Sequence, residues 1–146
     1  MIKPKKSLGQ NFLVDKNIIN KIINIVTIKD KNVIEIGPGK GALTKEILSK
    51  KPKSFLLIEK DNKLSQNLKL KFKNIKKIKV FNEDVLKFNF DKIKKKNLII
   101  FGNLPYNISS QILVKIVKLK KWPPYFTNII FMFQKELGNK IIAKFP

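Results

Sequence analysis

The sequence predicts an α/β fold in which a doubly wound, parallel sheet is covered by helices on both faces. Short apolar runs typical of buried strands alternate along the 146 residues with segments whose apolar side chains recur at helical spacing. Strands that alternate with helices in this way pair in parallel and are joined by right-handed crossovers. Polar residues follow several of the runs, at the strand ends where such sheets bind ligands. No internal repeat or linker divides the chain, so we expect one domain.

The individual elements follow from apolar spacing and from their caps. Isoleucines three and four residues apart between positions 18 and 23 indicate a first helix, with Asp15 as its cap. Asp61 is expected to cap the helix after the second strand, and Ser109 or Ser110 the helix after the fourth. A last helix opens after the fifth strand. The predicted strands are residues 33–36, 54–58, 78–81, 98–101 and 128–133.

Composition narrows the chemistry that is available. The chain has no histidine and no cysteine, which excludes catalysis by either residue, a disulfide, and a metal site built on them. No apolar stretch approaches the roughly 20 residues that a membrane span needs, and no signal-type apolar core follows the basic first residues. We therefore expect a soluble cytoplasmic protein with neither a membrane partner nor a metal.

The formal net charge of +22 arises from 32 basic residues, all of them lysine, against 10 acidic residues. Such a charge attracts a polyanion through counterion release and long-range steering, which favours RNA or DNA as a partner. The lysines accompany abundant Ile, Asn and Phe, a composition that an AT-rich genome also produces at tolerant surface positions. Arginine, which is preferred for bidentate phosphate contacts, is absent. Charge alone therefore leaves a functional and a compositional origin open.

A glycine-rich turn follows the first predicted strand. Gly37, Gly39 and Ala42 satisfy the G-x-G-x-x-G/A pattern, and apolar residues at helical spacing come next. Glycines let the backbone approach a ligand closely, and the free N–H groups at a helix start can receive a polar or anionic ligand end. The turn predicts a nucleotide-type cofactor without identifying which one, and a purely structural tight turn is the alternative.

Two acidic residues at later strand ends extend the candidate cofactor site. Glu59 lies about twenty residues past the glycine turn, where a carboxylate can accept hydrogen bonds from both ribose hydroxyls. Asp84 follows the third strand and could hold the amino group of an adenine while Val85 packs on the ring, although a solvated loop acid is the alternative. Upstream, Gln10 and Asn11 lie on a segment that could fold over a ligand.

The stretch Gly102-Asn103-Leu104-Pro105-Tyr106-Asn107 has the groups that a site modifying adenine's 6-amino nitrogen needs. That nitrogen is a poor nucleophile because its lone pair is delocalised, so acceptors must draw it out of the base plane. Asn103 supplies one acceptor and the Leu104 carbonyl another, whose direction Pro105 restricts. Tyr106 offers a flat face for the base. A strand-end turn is the alternative, but turn chemistry does not require an aromatic residue after the proline.

These segments together resemble the N-terminal part of the small-subunit ribosomal RNA adenine dimethyltransferases. The resemblance covers essentially the whole chain, and its motifs occur in the family's order. They are GQNFL at residues 9–13, EIGPGKGALT at 35–44, IEKD at 58–61, DVL at 84–86, GNLPYNIS at 102–109 and QKE at 134–136.

The resemblance implies a Rossmann-like S-adenosylmethionine-dependent methyltransferase sheet, with S-adenosylmethionine as the cofactor and no metal. The implied substrate is an adenine amine of small-subunit ribosomal RNA, in the immature small ribosomal subunit, dimethylated in two adjacent nucleotides. The implied catalytic loop is Asn103, Leu104, Pro105 and Tyr106. The resemblance also implies which residues bind the cofactor. They are Asn11 and Leu13, which close over the cofactor, Gly37 and Gly39 in the turn, Glu59 at the ribose, Asp84 at the adenine and Asn103 near the transferred methyl.

The resemblance also implies an extent for the fold. The family has a seven-stranded sheet followed by a small helical domain, so we expect residues 1–146 to be a partial methyltransferase catalytic domain, incomplete at the C-terminal end. Expressed alone, such a chain is expected to self-associate along its fifth strand and to transfer methyl groups slowly or not at all.

Four other functions stay open on sequence alone. The large-subunit methyltransferases linked to macrolide resistance share the fold, cofactor and reaction, and usually have Ile where this chain has Leu104. A dinucleotide-dependent oxidoreductase fits the glycine turn and Glu59 but leaves residues 103–106 unexplained. A DNA adenine methyltransferase shares the chemistry, and a non-catalytic assembly factor would bind RNA without needing Tyr106.

The chain departs from the family near Lys140, where family members commonly carry an arginine. Whether Lys140 replaces that arginine in contacting RNA stays open on sequence alone.

Overall fold

The computed structural model describes residues 13–119 and 126–143, which form five strands, five α-helices and a short 3-10 helix at Phe90–Lys92. The strands are β1 (Asn32–Ile36), β2 (Ser54–Glu59), β3 (Ile78–Asn82), β4 (Leu98–Asn103) and β5 (Phe126–Met132). The helices are α1 (Lys16–Ile23), α2 (Ala42–Ser49), α3 (Asn62–Lys71), α4 (Ser109–Val117) and α5 (Lys135–Ile142).

All strand pairs are parallel, in the order β3-β2-β1-β4-β5. Successive side chains of a strand point to opposite faces, so the apolar strands supply two separate cores. Helices α1, α2 and α3 cover one face, and α4 with the segment around residues 85–93 covers the other. The predicted doubly wound α/β fold is confirmed. Each fully buried Ile, Leu or Phe in these cores contributes roughly 1.5–3 kcal/mol of transfer free energy.

The strand order places a topological switch point between β1 and β4. The chain winds from β1 through β2 to β3 on one side and continues with β4 and β5 on the other. A ligand crevice forms where the connections leave in opposite directions, outside the carboxyl ends of these two strands. Ile36 pairs with Gly102 there, so the glycine turn and the Asn-Leu-Pro-Tyr loop emerge side by side.

Helix caps agree with the sequence prediction in two cases of three. Asp15 accepts hydrogen bonds from the backbone N–H groups of Asn17 and Ile18 at 2.8 and 3.2 Å. Asp61 caps α3 by accepting from Leu64 N–H at 3.1 Å. The expected Ser109 or Ser110 cap is wrong, because α4 begins at Ser109 without a side-chain cap.

The fifth strand starts two residues earlier and ends one residue earlier than predicted. Phe126 pairs with Leu98 at the start of β4, and a register shift between Leu98 and Ile99 absorbs one extra residue of β5. Such a bulge is a pairing feature that the apolar run 128–133 does not reveal. None of the described helices is both long and apolar enough to cross a membrane.

Candidate functional site

A cavity of about 330 Å³ opens at the switch point. Its described lining includes Leu13, Gly37, Gly39 and Asn103, four residues predicted to hold the cofactor, together with Glu35. Small-molecule sites in proteins have volumes of roughly 300–1,000 Å³, so the cavity is large enough for part of a nucleotide-sized ligand.

The glycine turn borders this cavity with its main chain. Gly37, Gly39 and Gly41 have φ values of 66°, 57° and 79°, in the left-handed region that only glycine adopts readily. A Cβ built on Gly37 would lie 3.4 Å from the Asn103 carbonyl oxygen, so the turn runs directly against the end of β4. Gly37 N–H donates to the Ile58 carbonyl at 3.0 Å, which ties the turn to β2 as well.

Glu59 braces the glycine turn from the end of β2. Its Oε2 accepts from Gly39 N–H at 3.1 Å and its Oε1 from Asp61 N–H at 2.9 Å. Burial raises the pKa of Glu59 above its ordinary value, more than these backbone hydrogen bonds lower it. The Lys60 backbone also donates to this carboxylate, which has about four lone-pair directions in all and so keeps room for a further donor such as a ribose hydroxyl.

Asp84 lies next to Glu59 along the same edge of the sheet. Burial acts to raise its pKa, but the Lys60 ammonium 2.9 Å from its Oδ2 and the Leu86 N–H at 2.9 Å from Oδ1 together lower it. Asp84 is therefore a carboxylate at neutral pH. Val85, which was expected to pack on an adenine ring, is buried in the second core.

Sequence reasoning missed Glu35 as part of the site. Its side chain is 2% exposed and accepts a hydrogen bond from Thr44 Oγ1 at 2.7 Å, which links β1 to α2. Burial raises its pKa to about 8, the Thr44 hydrogen bond lowers it, and the neighbouring Glu59 charge raises it further. The available signal was an acidic residue inside the apolar run 33–36, since acids are almost never fully buried without a partner.

The Asn-Leu-Pro-Tyr loop is anchored at both ends. Leu104 is buried in the second core, whereas the Tyr106 side chain is 41% exposed. Ile108 N–H donates to the Pro105 carbonyl at 3.2 Å, and Ser109 Oγ donates to the Tyr106 carbonyl at the same distance. The loop thus presents an aromatic face next to the cavity while its backbone stays attached to α4.

The structure brings the predicted residues to one edge of the sheet but not all into the cavity. Glu59, Asp84 and residues 104–106 are not among its described lining residues. Glu59 adjoins it through Gly39, and the loop adjoins it through Asn103. Asn11 lies outside the described residues, as do Gln10 and residues 120–125. Within the described residues no group of three acidic side chains could hold a metal ion.

Sequence comparison identifies relatives over the whole chain. The model of a family described as ribosomal RNA adenine dimethylase matches residues 1–146. The ribosomal RNA small subunit methyltransferase A of Pelagibacter ubique is 47% identical over 144 residues, covering 99% of this chain and 54% of that protein. The protein of the same name from Mycoplasma mobile is 49% identical over 140 residues, covering 96% of this chain and 52% of that protein. The chain spans about half the length of the curated relatives it matches.

Structural comparison gives the same class of fold. A crystal structure of a dimethyladenosine transferase from Plasmodium falciparum has a TM-score of 0.78 and 29% identity, covering 92% of this chain and 47% of that one. The crystal structure of the 23S rRNA methyltransferase ErmE has a TM-score of 0.76 and 27% identity, covering 89% and 50%. The predicted Rossmann-like methyltransferase fold is confirmed.

Proposed function

This chain belongs to the ribosomal RNA adenine dimethylase family, and we propose that it transfers methyl groups from S-adenosylmethionine to the 6-amino nitrogen of adenines in small-subunit ribosomal RNA. Its main support is the contact between the glycine turn and the end of β4, where a Cβ on Gly37 would lie 3.4 Å from the Asn103 carbonyl. A cofactor on the turn and an amine at Asn103 would meet at one place. We further propose that residues 1–146 belong to a methyltransferase catalytic domain, of which they are a part.

The described residues fit S-adenosylmethionine. Bound there, it would supply an electrophilic methyl group on a positively charged sulfur. The backbone of Gly37 and Gly39 would pack against it, although their N–H groups already donate to Ile58 and Glu59. Glu59 would hold it through the ribose hydroxyls, and Asp84 through the adenine amine. Leu13 lines the same cavity, and Asn11 would join it as a cover. The carboxyl of Glu35 lines the same cavity, and because burial raises its pKa to about 8 it would meet the ligand as a neutral hydrogen-bonding group at neutral pH.

The catalytic loop would align the amine. Asn103 and the Leu104 carbonyl would accept its hydrogens and turn its lone pair towards the methyl group, so most of the rate enhancement would come from orientation. The buried Leu104 side chain and the bond from Ser109 to the Tyr106 carbonyl fix this part of the backbone. An adenine drawn out of its stack would lie against the exposed ring of Tyr106.

The small subunit is the preferred target because the curated relatives at 47% and 49% identity carry that name. Leu104 agrees, since the large-subunit family usually has Ile there. A large-subunit target is the second candidate, because ErmE has nearly the same structural similarity as the dimethyladenosine transferase. Labelled-methyl transfer to immature small subunits and to large-subunit RNA, measured in parallel, distinguishes the two.

We expect Asn103→Ala to lower the single-turnover rate of methyl transfer roughly a hundredfold, the loss seen when one preorganised polar contact to a transition state is removed. Affinity for RNA should change little, because this contact matters most as the amine becomes pyramidal. The matched control is Asn107→Ala, which removes an exposed amide from the same loop. Equal rates for the two variants would contradict the role of Asn103.

The identity of the cofactor is tested separately by calorimetry. The protein is titrated with S-adenosylmethionine and, in a second experiment, with a nicotinamide dinucleotide. Binding of the dinucleotide alone would favour an oxidoreductase and overturn the proposed function.

A further inference from the structure

The two edges of the sheet differ strongly in charge. We call the segments that precede β1 to β4, residues 24–31, 50–53, 72–77 and 93–97, the basic rim. These 23 residues contain eleven lysines and one acidic residue, Asp30. The segments that follow β1 to β5 contain 21 residues, with three lysines and three acidic residues. The edge opposite the cofactor cavity therefore carries most of the loop charge.

This asymmetry is not what a compositional bias alone produces. A genome that favours lysine codons would act on exposed loops at both edges, yet the two sets of segments have similar lengths and very different charge. Lys51 is a second observation in favour of selected charge. Its φ of 56° lies in the left-handed region, where asparagine is better tolerated than lysine. Asparagine occurs in the same conformation at Asn97, in another turn of the rim.

The basic rim is one continuous surface because its segments are hydrogen-bonded to each other and to neighbouring strands. Lys53 N–H donates to the Lys31 carbonyl at 2.8 Å, and Asp30 N–H donates to the Lys51 carbonyl at 3.1 Å. The Lys96 carbonyl accepts from the Asn32 side chain at 2.9 Å. The carbonyl of Lys77 accepts from Phe55 N–H at 2.8 Å. The lysines of four neighbouring strand starts thus lie side by side.

The lysine side chains of the basic rim are available to a partner. Eight of the eleven are exposed and three are partly exposed. Within residues 13–119 and 126–143 none of them forms an ion pair, and Lys50 hydrogen-bonds the neutral Asn24 side chain. Such a concentration of unneutralised charge costs free energy through self-repulsion, and a polyanion would relieve it.

We infer that the basic rim binds the phosphate backbone of an RNA duplex, on the opposite edge from the adenine that is methylated. Four strands spaced about 4.8 Å apart span about 14 Å. A duplex with one phosphate charge per roughly 1.7 Å of axis presents about eight charges over that length, which suits the eleven lysines of the rim. Lysine suffices for such contacts, since backbone binding needs charge and not base recognition. The choice of RNA as the polyanion rests on the proposed function.

The test compares two variants of equal charge. The rim variant combines Lys29→Gln, Lys53→Gln, Lys76→Gln and Lys94→Gln, and the control combines the same change at four exposed lysines of α1 and α3, namely Lys16, Lys21, Lys63 and Lys69. Both lose four of the 22 net positive charges. Fluorescence anisotropy of a labelled RNA duplex of about 20 base pairs, at salt concentrations from about 50 to about 200 mM, gives the affinity and its salt slope.

We expect the rim variant to lose at least about tenfold in duplex affinity near 100 mM salt and its salt slope to flatten by about 3. The control should lose less than about threefold, and both variants should stay folded, with the parent's circular dichroism spectrum and S-adenosylmethionine affinity. Equal losses in the two variants, or none in either, would overturn the inference. Binding to vesicles of anionic phospholipid is measured in parallel, and a rim-dependent loss of vesicle binding without a loss of duplex binding would also overturn the inference and indicate a membrane surface instead. Rim-dependent duplex binding that persists without methyl transfer would refute only the proposed function.

Discussion

At the scale of single residues, the buried carboxyl of Glu35 makes stability depend on pH. Burial raises the pKa of Glu35 from 4.5 to about 8, against the opposing effect of the Thr44 hydrogen bond. The folded protein therefore keeps this proton up to about pH 8, whereas the unfolded chain releases it near pH 4.5. Because the folded state binds more protons within that window, the free energy of unfolding falls as pH rises through it.

We expect Glu35→Gln to become progressively more stable than the parent as pH rises from about 5 to about 8, by on the order of a few kcal/mol. The amide removes the titration and can still accept the hydrogen bond from Thr44. Urea unfolding at several pH values measures the difference. Glu46→Gln, on the same helix α2, controls for the loss of a carboxyl. A constant difference between Glu35→Gln and the parent at all pH values would show that Glu35 is ionised in the folded state.

Residue roles could be predicted from sequence where they are local. Asp15 and Asp61 cap helices that begin directly after them, and both were identified from the sequence. The hydrogen bond between Glu35 and Thr44 could not be predicted from the sequence, because it depends on how α2 packs against β1. Ser109 was wrongly expected to cap α4. Its hydroxyl donates instead to the Tyr106 carbonyl, a local partner that competes with capping.

At the scale of elements, the connection from β1 to α2 is the most constrained turn of the site. It combines left-handed backbone at Gly37 with close approach to the end of β4. The glycine pattern predicted the turn, because left-handed positions in tight loops favour glycine. The boundaries of β5 were not predictable to the residue, since the bulge opposite Leu98 is set by pairing with β4.

We expect Gly37→Ala to destabilise the fold by roughly 1–2 kcal/mol, because alanine is strained in the left-handed region. It should also weaken S-adenosylmethionine binding, since the new methyl group would lie 3.4 Å from the Asn103 carbonyl beside the cavity. The matched control is Gly138→Ala in α5, where the added Cβ meets nothing within 4 Å. That change should stabilise by roughly 0.5–1 kcal/mol. Urea unfolding measures both free energies of unfolding. If the two substitutions changed the free energy of unfolding in the same direction, the turn at Gly37 would not be strained.

At the scale of the whole molecule, the position of the site follows from strand order. The sequence indicated that candidate residues lie at carboxyl ends of parallel strands, but not that β1 and β4 are neighbours. Alternation of strands and helices is compatible with several orders, so the contact between the glycine turn and Asn103 is a result of the three-dimensional arrangement. The same arrangement sorts the lysines, which are scattered in sequence, onto one edge of the sheet.

The net charge of +22 predicts that this protein is stabilised by moderate salt. Like charges repel more strongly in the compact state than in the expanded chain, and raising the ionic strength from about 0.01 to about 0.15 M shortens the Debye length from roughly 30 to roughly 8 Å. Thermal unfolding followed by circular dichroism in sodium chloride should therefore show the midpoint rising by on the order of several degrees. The rim variant should have a higher midpoint in low salt than the control variant of equal charge, because it removes lysines where they are densest. A midpoint that falls with added salt would mean that attractive ion pairs, such as Lys60 with Asp84, outweigh the repulsion.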